Sequence, residues 1–350
     1  MFKVEDVQEQ KISRQGMSEN KDKNKDKDPL HLLKELSGVN ALCILEKDDK
    51  RIVVLGDVHT NTSDKECQKC VKDCFTVSRL IHKLKEYHKK NGTELDVYAE
   101  FLAPSFDRKD KTRMEMFVDV EQNLKVPNDI MLLQLRKEFA ADAYAHKATK
   151  TRIHYVDVRT LPFLNTLGIM VFVWYASHNP LKEKVRIDAC TKNYFHLFQL
   201  IYPTAKKFDK VIHDILLEMD DPDNYIYKQY KKLSSNDQAL MRKFAKKSFQ
   251  HVKTMFDFDK NPEEYFLFMT GILLEFYALC RFLRFFKKQP AGSTSVFLAG
   301  VLHTANFKQF LEEWGCETVV DQHPTLSEVV KFTEQVSMGK KDNKCLHVKT

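Results

Sequence analysis

The chain reads as an α/β protein with a three-layer fold, a mainly parallel sheet and a large helical insertion. Three observations carry that reading. Short β-favouring runs alternate with helical periodicities toward both ends of the chain. The runs are apolar throughout, as strands covered on both faces must be. Between about 163 and 289 the sequence keeps helical periodicity and clear helix starts but shows no comparable strand.

Taken in order, Ala41–Leu45 and Arg51–Leu55 are two strand-like runs separated by Glu46-Lys47-Asp48-Asp49-Lys50, a hairpin signature. After Gly56-Asp57-Val58-His59-Thr60-Asn61 comes Ser63-Asp64-Lys65-Glu66, a capping box. Apolar residues follow at Cys67, Cys70, Val71, Cys74, Val77, Leu80, Ile81 and Leu84, which predicts one amphipathic helix. Leu95–Ala99, Ile153–Val158 and Ser295–Ala299 are further strands. A helix through Trp314 stops at Gly315, Glu317–Val320 is a fifth strand, and Thr325–Glu328 caps a last helix. Ser235-Asn236-Asp237-Gln238 and Asn261-Pro262-Glu263-Glu264 open helices inside the insertion.

These elements divide the chain into an α/β core over 38–162 and 290–337 and a helical insertion over 163–289, the latter forming a lid or wall of a cleft. The arm over 1–30 carries alternating lysine and aspartate from Lys21 to Asp28 and almost no large apolar side chain, so it is expected to be disordered. The tail over 338–350 is polar and basic and is expected to fray. No repeat of solenoid length is visible.

Composition narrows the class. A chain that is 43% hydrophobic with 25 phenylalanines can bury a sizeable core. The net charge of +7 is a small excess over interspersed charges of both signs, which argues for a solvated surface and against a nucleic-acid footprint. Eight scattered cysteines, no apolar leader and no lipidation signal predict a cytoplasmic protein with free thiols. Leu161–Ser177 and Tyr265–Phe286 approach membrane character, but Pro162, Asn165, Glu275, Arg281 and Arg284 interrupt them, so buried helices and no transmembrane segment are expected.

Ligand sites in parallel sheets sit beyond the carboxyl ends of the strands, where loops and helix N-termini converge. The polar residues at those ends are Asp57 and His59, Glu100, Asp157 and Arg159, and His303. The two histidines share one grammar: Gly56-Asp57-Val58-His59-Thr60 and Gly300-Val301-Leu302-His303-Thr304 are both Gly-x-x-His-Thr at a strand-to-helix junction, where glycine permits a sharp turn.

In these residues the sequence resembles the superfamily of erythromycin esterases, ChaN-like and TraB/Tiki proteins. The likeness rests on Leu-Gly-Asp-Val-His at 55–59, Asp-Val-Tyr-Ala-Glu-Phe at 96–101, Asp157-Val158-Arg159 and Ala299-Gly300-Val301-Leu302-His303, and covers about half the chain. It implies hydrolysis of esters or peptides through His59, Glu100 and His303, with Asp157 and Arg159 as partners, some members using a divalent metal and ChaN-like members associating with haem. One departure is that Asp57 stands where the family often has Glu.

The residues leave two mechanisms open. Two imidazoles and a carboxylate, His59, Glu100 and His303, form an open ligand set for Mn, Co or Zn that would acidify a bound water. Without metal, His59 oriented by Asp57 or Glu100 would act as general base, with Arg159 or His303 stabilising the oxyanion. The substrate is a small molecule or peptide. Two rival readings are a non-catalytic haem- or peptide-binding protein and a calcineurin-like metallophosphoesterase, though the latter's further Gly-Asp-x-x-Asp and Gly-Asn-His elements are missing.

Asp157 and Arg159 share a strand face and either act directly or form a buried ion pair that positions the site. Cys67, Cys70 and Cys74 fall on the apolar face of the predicted helix and read as core. Glu275, alone in an apolar stretch, reads as the solvated edge of an amphipathic helix more readily than as a carboxylate facing the cleft. His178, His196, His213 and His251 show no partner spacing. Arg281, Arg284, Lys287 and Lys288 read as a solvated helix end, with an anionic partner as the alternative.

Overall fold

A computed structural model describes residues 30, 35–37, 39–57, 74–102, 150–159, 196, 199–221, 224–324 and 346–347. The fold starts from the predicted hairpin. Strands β2 (Ala41–Lys47) and β3 (Lys50–Asp57) pair antiparallel from Ala41–Gly56 down to Lys47–Lys50. The five-residue polar run therefore closes into a turn with only Asp48 and Asp49 at its centre. Both adopt positive φ (51° and 55°), the conformation that matches the strands' twist and that aspartate tolerates better than most residues.

The remaining strands are β1 (Glu35–Ser37), β4 (Cys74–Thr76), β5 (Leu95–Leu102), β6 (Thr151–Asp157), β7 (Thr294–Gly300), β8 (Glu317–Gln322) and β9 (Leu346–His347). Six of them form one sheet in the order β6-β5-β7-β3-β2-β8. The β6/β5, β5/β7 and β7/β3 pairs are parallel, while β2 runs antiparallel to both β3 and β8. The fold is thus α/β with a mixed, mostly parallel sheet. A second, small sheet has the order β4-β1-β9.

Alternation along the buried strands sends side chains into two cores. Val53, Leu55, Val97 and Leu298 join Leu80 and Leu84 of α1 (Val77–Asn91) on one face. Val54, Tyr98, Phe297 and Ala299 face the other, with the helices α2 (Ala205–Leu217), α3 (Tyr225–Lys231), α4 (Ser235–Met255), α5 (Pro262–Phe286) and α6 (Val301–Glu313). Helix starts fall where the sequence puts them: the Ser234 hydroxyl accepts from Asp237 N, and Pro262 occupies the first turn of α5. Apolar nearly all round, α5 is buried along most of its length, as such a helix must be. It is the one helix among the described residues long and apolar enough to cross a bilayer, and most of that span is covered by protein.

Three expectations need correction. Cys74-Phe75-Thr76 is not helical: it pairs in parallel with Glu35-Leu36-Ser37, and the helix begins only at Val77. An apolar run with one aromatic and one β-branched residue suits either element, and the partner strand decides. The basic tail is not wholly frayed, since Leu346–His347 pair antiparallel with β1. Arg281 and Arg284 are half-buried rather than solvated, packed against β6 and α3. The charge run at 1–29, the capping boxes at 63–66 and 325–328, Cys67, Cys70, Leu161–Ser177 and His178 lie outside the described residues.

Candidate functional site

The connections define where a cleft opens. From β3 the chain passes to α1 on one face of the sheet; from β7 it passes to α6 on the opposite face. Adjacent parallel strands whose continuations diverge in this way leave a crevice at their carboxyl ends. Asp57 and Gly300 are register partners at that point, and Glu100 follows the last residue of β5 that pairs with β7, Ala99.

Glu100 is the hub. On β5 it shares a face with Asp96 and Tyr98 by the two-residue period, which turns it toward α5 and α6. Its Oε2 accepts the backbone N–H of Gly300 at 2.7 Å, and its Oε1 accepts Arg159 Nη2 at 2.7 Å. Arg159 is gripped in turn by Asp157, which takes Nε at 2.9 Å, Nη2 at 3.0 Å and the Arg159 backbone N–H at 3.1 Å. All three side chains are buried. The guanidinium is held between two carboxylates and does not project into open space.

His303 sits in the first turn of α6. Its Nε2 lies 3.7 Å from Glu100 Oε1, and its Nδ1 lies 2.8 Å from Glu275 Oε1. Asn306, one turn on, donates to the same Glu275 oxygen at 2.8 Å. With the Glu275 carboxylate accepting from both, Nδ1 is the donor of that bond, and Nε2 faces Glu100. The side chain of His303 keeps 16% exposure whereas those of Glu100 and Glu275 keep 3% and 4%, so the imidazole is the group of the three that meets solvent.

Glu275 is therefore a buried carboxylate beside His303, not a solvated helix edge. One turn before it, Gly271 makes the contact geometrically feasible: a Cβ there would stand 2.9 Å from His303 Cε1. Glu275 Oε2 is buried and has no hydrogen-bond partner among the described residues. An orphaned carboxylate oxygen costs free energy unless something fills its acceptor sites.

The two motif glycines do something other than turn. Neither has positive φ. A Cβ on Gly56 would lie 2.5 Å from Thr304 Oγ1 and 3.0 Å from Val301 Cα, so this glycine lets α6 lie directly on β3. Thr304 Oγ1 in turn donates to Val301 O and lies 2.9 Å from His323 Nε2. The threonines of the motif thus have a packing role on the one side that is described.

Of the predicted residues, Glu100, Asp157, Arg159 and His303 come together. Asp57 is buried at the same sheet edge, but on β3 it continues the alternation of Val53 and Leu55 and belongs to the α1 face. His59 lies outside the described residues; two positions earlier, β3 ends beside Gly300. Sequence reasoning passed over Asn306 and Gly271. The available signal was helical spacing: Gly271 and Glu275 are four apart, and His303 and Asn306 three apart, each pair on one helix face.

For a divalent metal, the 3.7 Å between His303 Nε2 and Glu100 Oε1 suits two ligands of one ion. Both Glu100 oxygens, however, already hold a cation or an amide. The described residues that cluster closely enough to offer three ligands are His213, Asp214 and Glu218, on the surface near the end of α2, where Lys210 already pairs with Asp214. Comparison of the chain with models of protein families, with curated proteins and with solved structures finds no match.

Proposed function

We propose that the chain is a hydrolase of carboxylic ester or amide bonds in a small molecule or peptide, working at the Glu100–His303–Glu275 cluster. The observation that carries this reading is a partly exposed imidazole fixed on Nδ1 by a buried carboxylate while Nε2 faces a second carboxylate. That is the arrangement of an oriented general base. In this reading Nε2 takes a proton from the attacking water, and Glu275 stabilises the imidazolium that results. The proton then passes from Nε2 to the leaving group. Arg159, clamped by Asp157, holds Glu100 in place, and His59, two residues past the end of β3, completes the cleft.

The finer architecture belongs to the same proposal: a three-layer core over 38–162 and 290–337, with the helices of 163–289 forming the wall from which Glu275 projects. So does the kinship with the erythromycin esterase, ChaN-like and TraB/Tiki superfamily, supported here by the meeting of Glu100 with His303. A metal-dependent form is the second reading: the His303–Glu100 spacing suits it, and it requires Glu100 to release Arg159 or the Gly300 amide. His303, Glu100 and His59 would hold the Mn, Co or Zn ion, which would supply Lewis-acid polarisation and a more acidic water.

The test is a panel of p-nitrophenyl esters and peptidyl anilides assayed with the wild type, His303→Ala and His59→Ala, alongside elemental analysis of each. Turnover that drops by at least about 100-fold in His303→Ala supports the reading. Unchanged turnover in both folded variants refutes it. Stoichiometric metal lost with either histidine selects the metal-dependent form.

A further inference from the structure

The amino ends of β5 and β6 lie at the opposite end of the sheet from His303, and there the carboxyl end of α5 meets α3. Half-buried Arg281 directs its guanidinium to His154 Nδ1 (3.0 Å from Nη2) and to Tyr277 Oη (3.1 Å from Nη1). Arg284, one turn on, donates to Gln229 Oε1 on α3 at 3.0 Å. These acceptors are all uncharged. Among the described residues no carboxylate pairs with Arg281, Arg284 or Lys232, because the acids nearby are engaged by other cations: Glu94 and Asp96 by Arg152, and Asp237 by Lys287.

Half-burying a cation without a counter-charge is unfavourable, and proteins ordinarily avoid it. Here it happens to two guanidiniums on successive turns. Both, together with Arg152, lie 5.3–5.6 Å from the ring centroid of Phe285, which is itself partly exposed. Lys232 at the end of α3 feels the crowd: partial burial, then Arg284, Lys228 and Arg281, hold its ammonium below the usual lysine range. The carboxyl ends of α3 and α5 each contribute about half a negative charge, which accounts for some basic residues there. Two such ends amount to about one negative charge, against three cationic side chains.

We infer that this surface, built on Arg281, Arg284 and Lys232, is a binding site for a small anion carrying clustered phosphate groups. Guanidinium forks match phosphate oxygens in geometry, and the lysine ammonium adds a point charge from a second helix. Three cations call for a ligand with more than one negative charge, which favours adjacent phosphates over a lone carboxylate. The inference does not depend on the proposed hydrolase activity, because no residue is shared.

Calorimetric titration of the full chain with sodium tripolyphosphate tests it, together with sedimentation of phosphatidylcholine vesicles with and without a phosphatidylinositol bisphosphate. The Arg284→Gln/Lys232→Gln pair is compared with Lys206→Gln/Lys207→Gln, which removes equal charge from exposed positions on α2. The expected result is saturable binding that weakens by about tenfold or more in the first pair and less than about twofold in the second. Response to tripolyphosphate identifies a soluble ligand; response only to the phosphoinositide vesicles identifies a lipid headgroup. No saturable binding of either probe, or equal weakening in both pairs, overturns the site.

Discussion

Strand β5 carries two buried carboxylates on one face, Asp96 and Glu100, and each is met by an arginine and a histidine. Asp96 accepts Arg152 through both oxygens (2.6 and 2.8 Å), His154 Nε2 at 3.1 Å and Gln289 Nε2 at 2.5 Å. Its histidine is stacked on Tyr98 at 4.4 Å between ring centroids, and both side chains are fully enclosed. Glu100 also holds an arginine, but its histidine stands 3.7 Å away, keeps contact with solvent and is oriented by a different carboxylate that has an oxygen to spare. The same residue types thus make a closed network at one end of the strand and an open one at the other. A closed network fixes a fold; an open one leaves an imidazole in contact with solvent.

The sharpest way to break this contrast is to remove each hub's function separately. Asp96→Ala leaves Arg152 and His154 without the charge they share, so stability should fall by about 3–5 kcal/mol in urea unfolding. Any hydrolytic turnover of the remaining folded protein should stay near wild type. His303→Ala should do the reverse: turnover on the ester panel falls by about 100- to 1,000-fold, while stability falls by less than in Asp96→Ala, because Asn306 still donates to the Glu275 oxygen that His303 held. If both variants lost stability equally and neither lost turnover selectively, the two networks would not differ in kind.

Acidification probes the closed network, with the ring of His154 followed on its own because burial also lowers His88 to about 4. Burial, opposed by the hydrogen bond to Asp96 and reinforced by the charge of Arg281, pulls the His154 imidazole down from 6.5 to about 4. The folded state thus binds fewer protons than the unfolded one between these values. The associated stability is complete above about pH 6.5 and is lost as pH falls toward 4, by up to ~3 kcal/mol. Asp96 itself, lowered below 3.8 with burial opposing its bonds to Arg152 and His154, contributes a separate loss only at still lower pH. Urea midpoints at pH 7, 6, 5 and 4.5, with the His154 ring followed by NMR, check the window.

Much of this was readable from the chain, and for identifiable reasons. The central strands of the sheet announce themselves because they are buried on both faces, and continuous apolar runs bounded by polar turns have few other homes; the edge strand β8 is largely exposed. Glu100 and His303 stood out because strand ends and helix starts are where sheets place chemistry. Glu275 was misjudged because periodicity gives a helix face but not its neighbour: the same angular position is solvent on one helix and a histidine on another. The 74–76 strand was missed because its partner lies some 40 residues away, and local pattern cannot report a distant strand. The roles of Gly56 and Gly271 are matters of close approach between elements, which φ-based reasoning about turns does not reveal.

The smallest predicted effect sharpens the open network most. Glu275→Gln keeps an oxygen that can accept from His303 Nδ1 and from Asn306, so the ring should stay oriented and the fold intact, with unfolding free energy within about 1 kcal/mol of wild type. It removes the negative charge that would stabilise an imidazolium. If His303 becomes protonated during turnover, the rate should fall by about tenfold, with the loss in kcat rather than KM. A loss confined to KM would place Glu275 in substrate binding instead. No kinetic change at all would reduce the Glu275–His303 contact to packing, and the open network would then differ from the closed one only in its exposure.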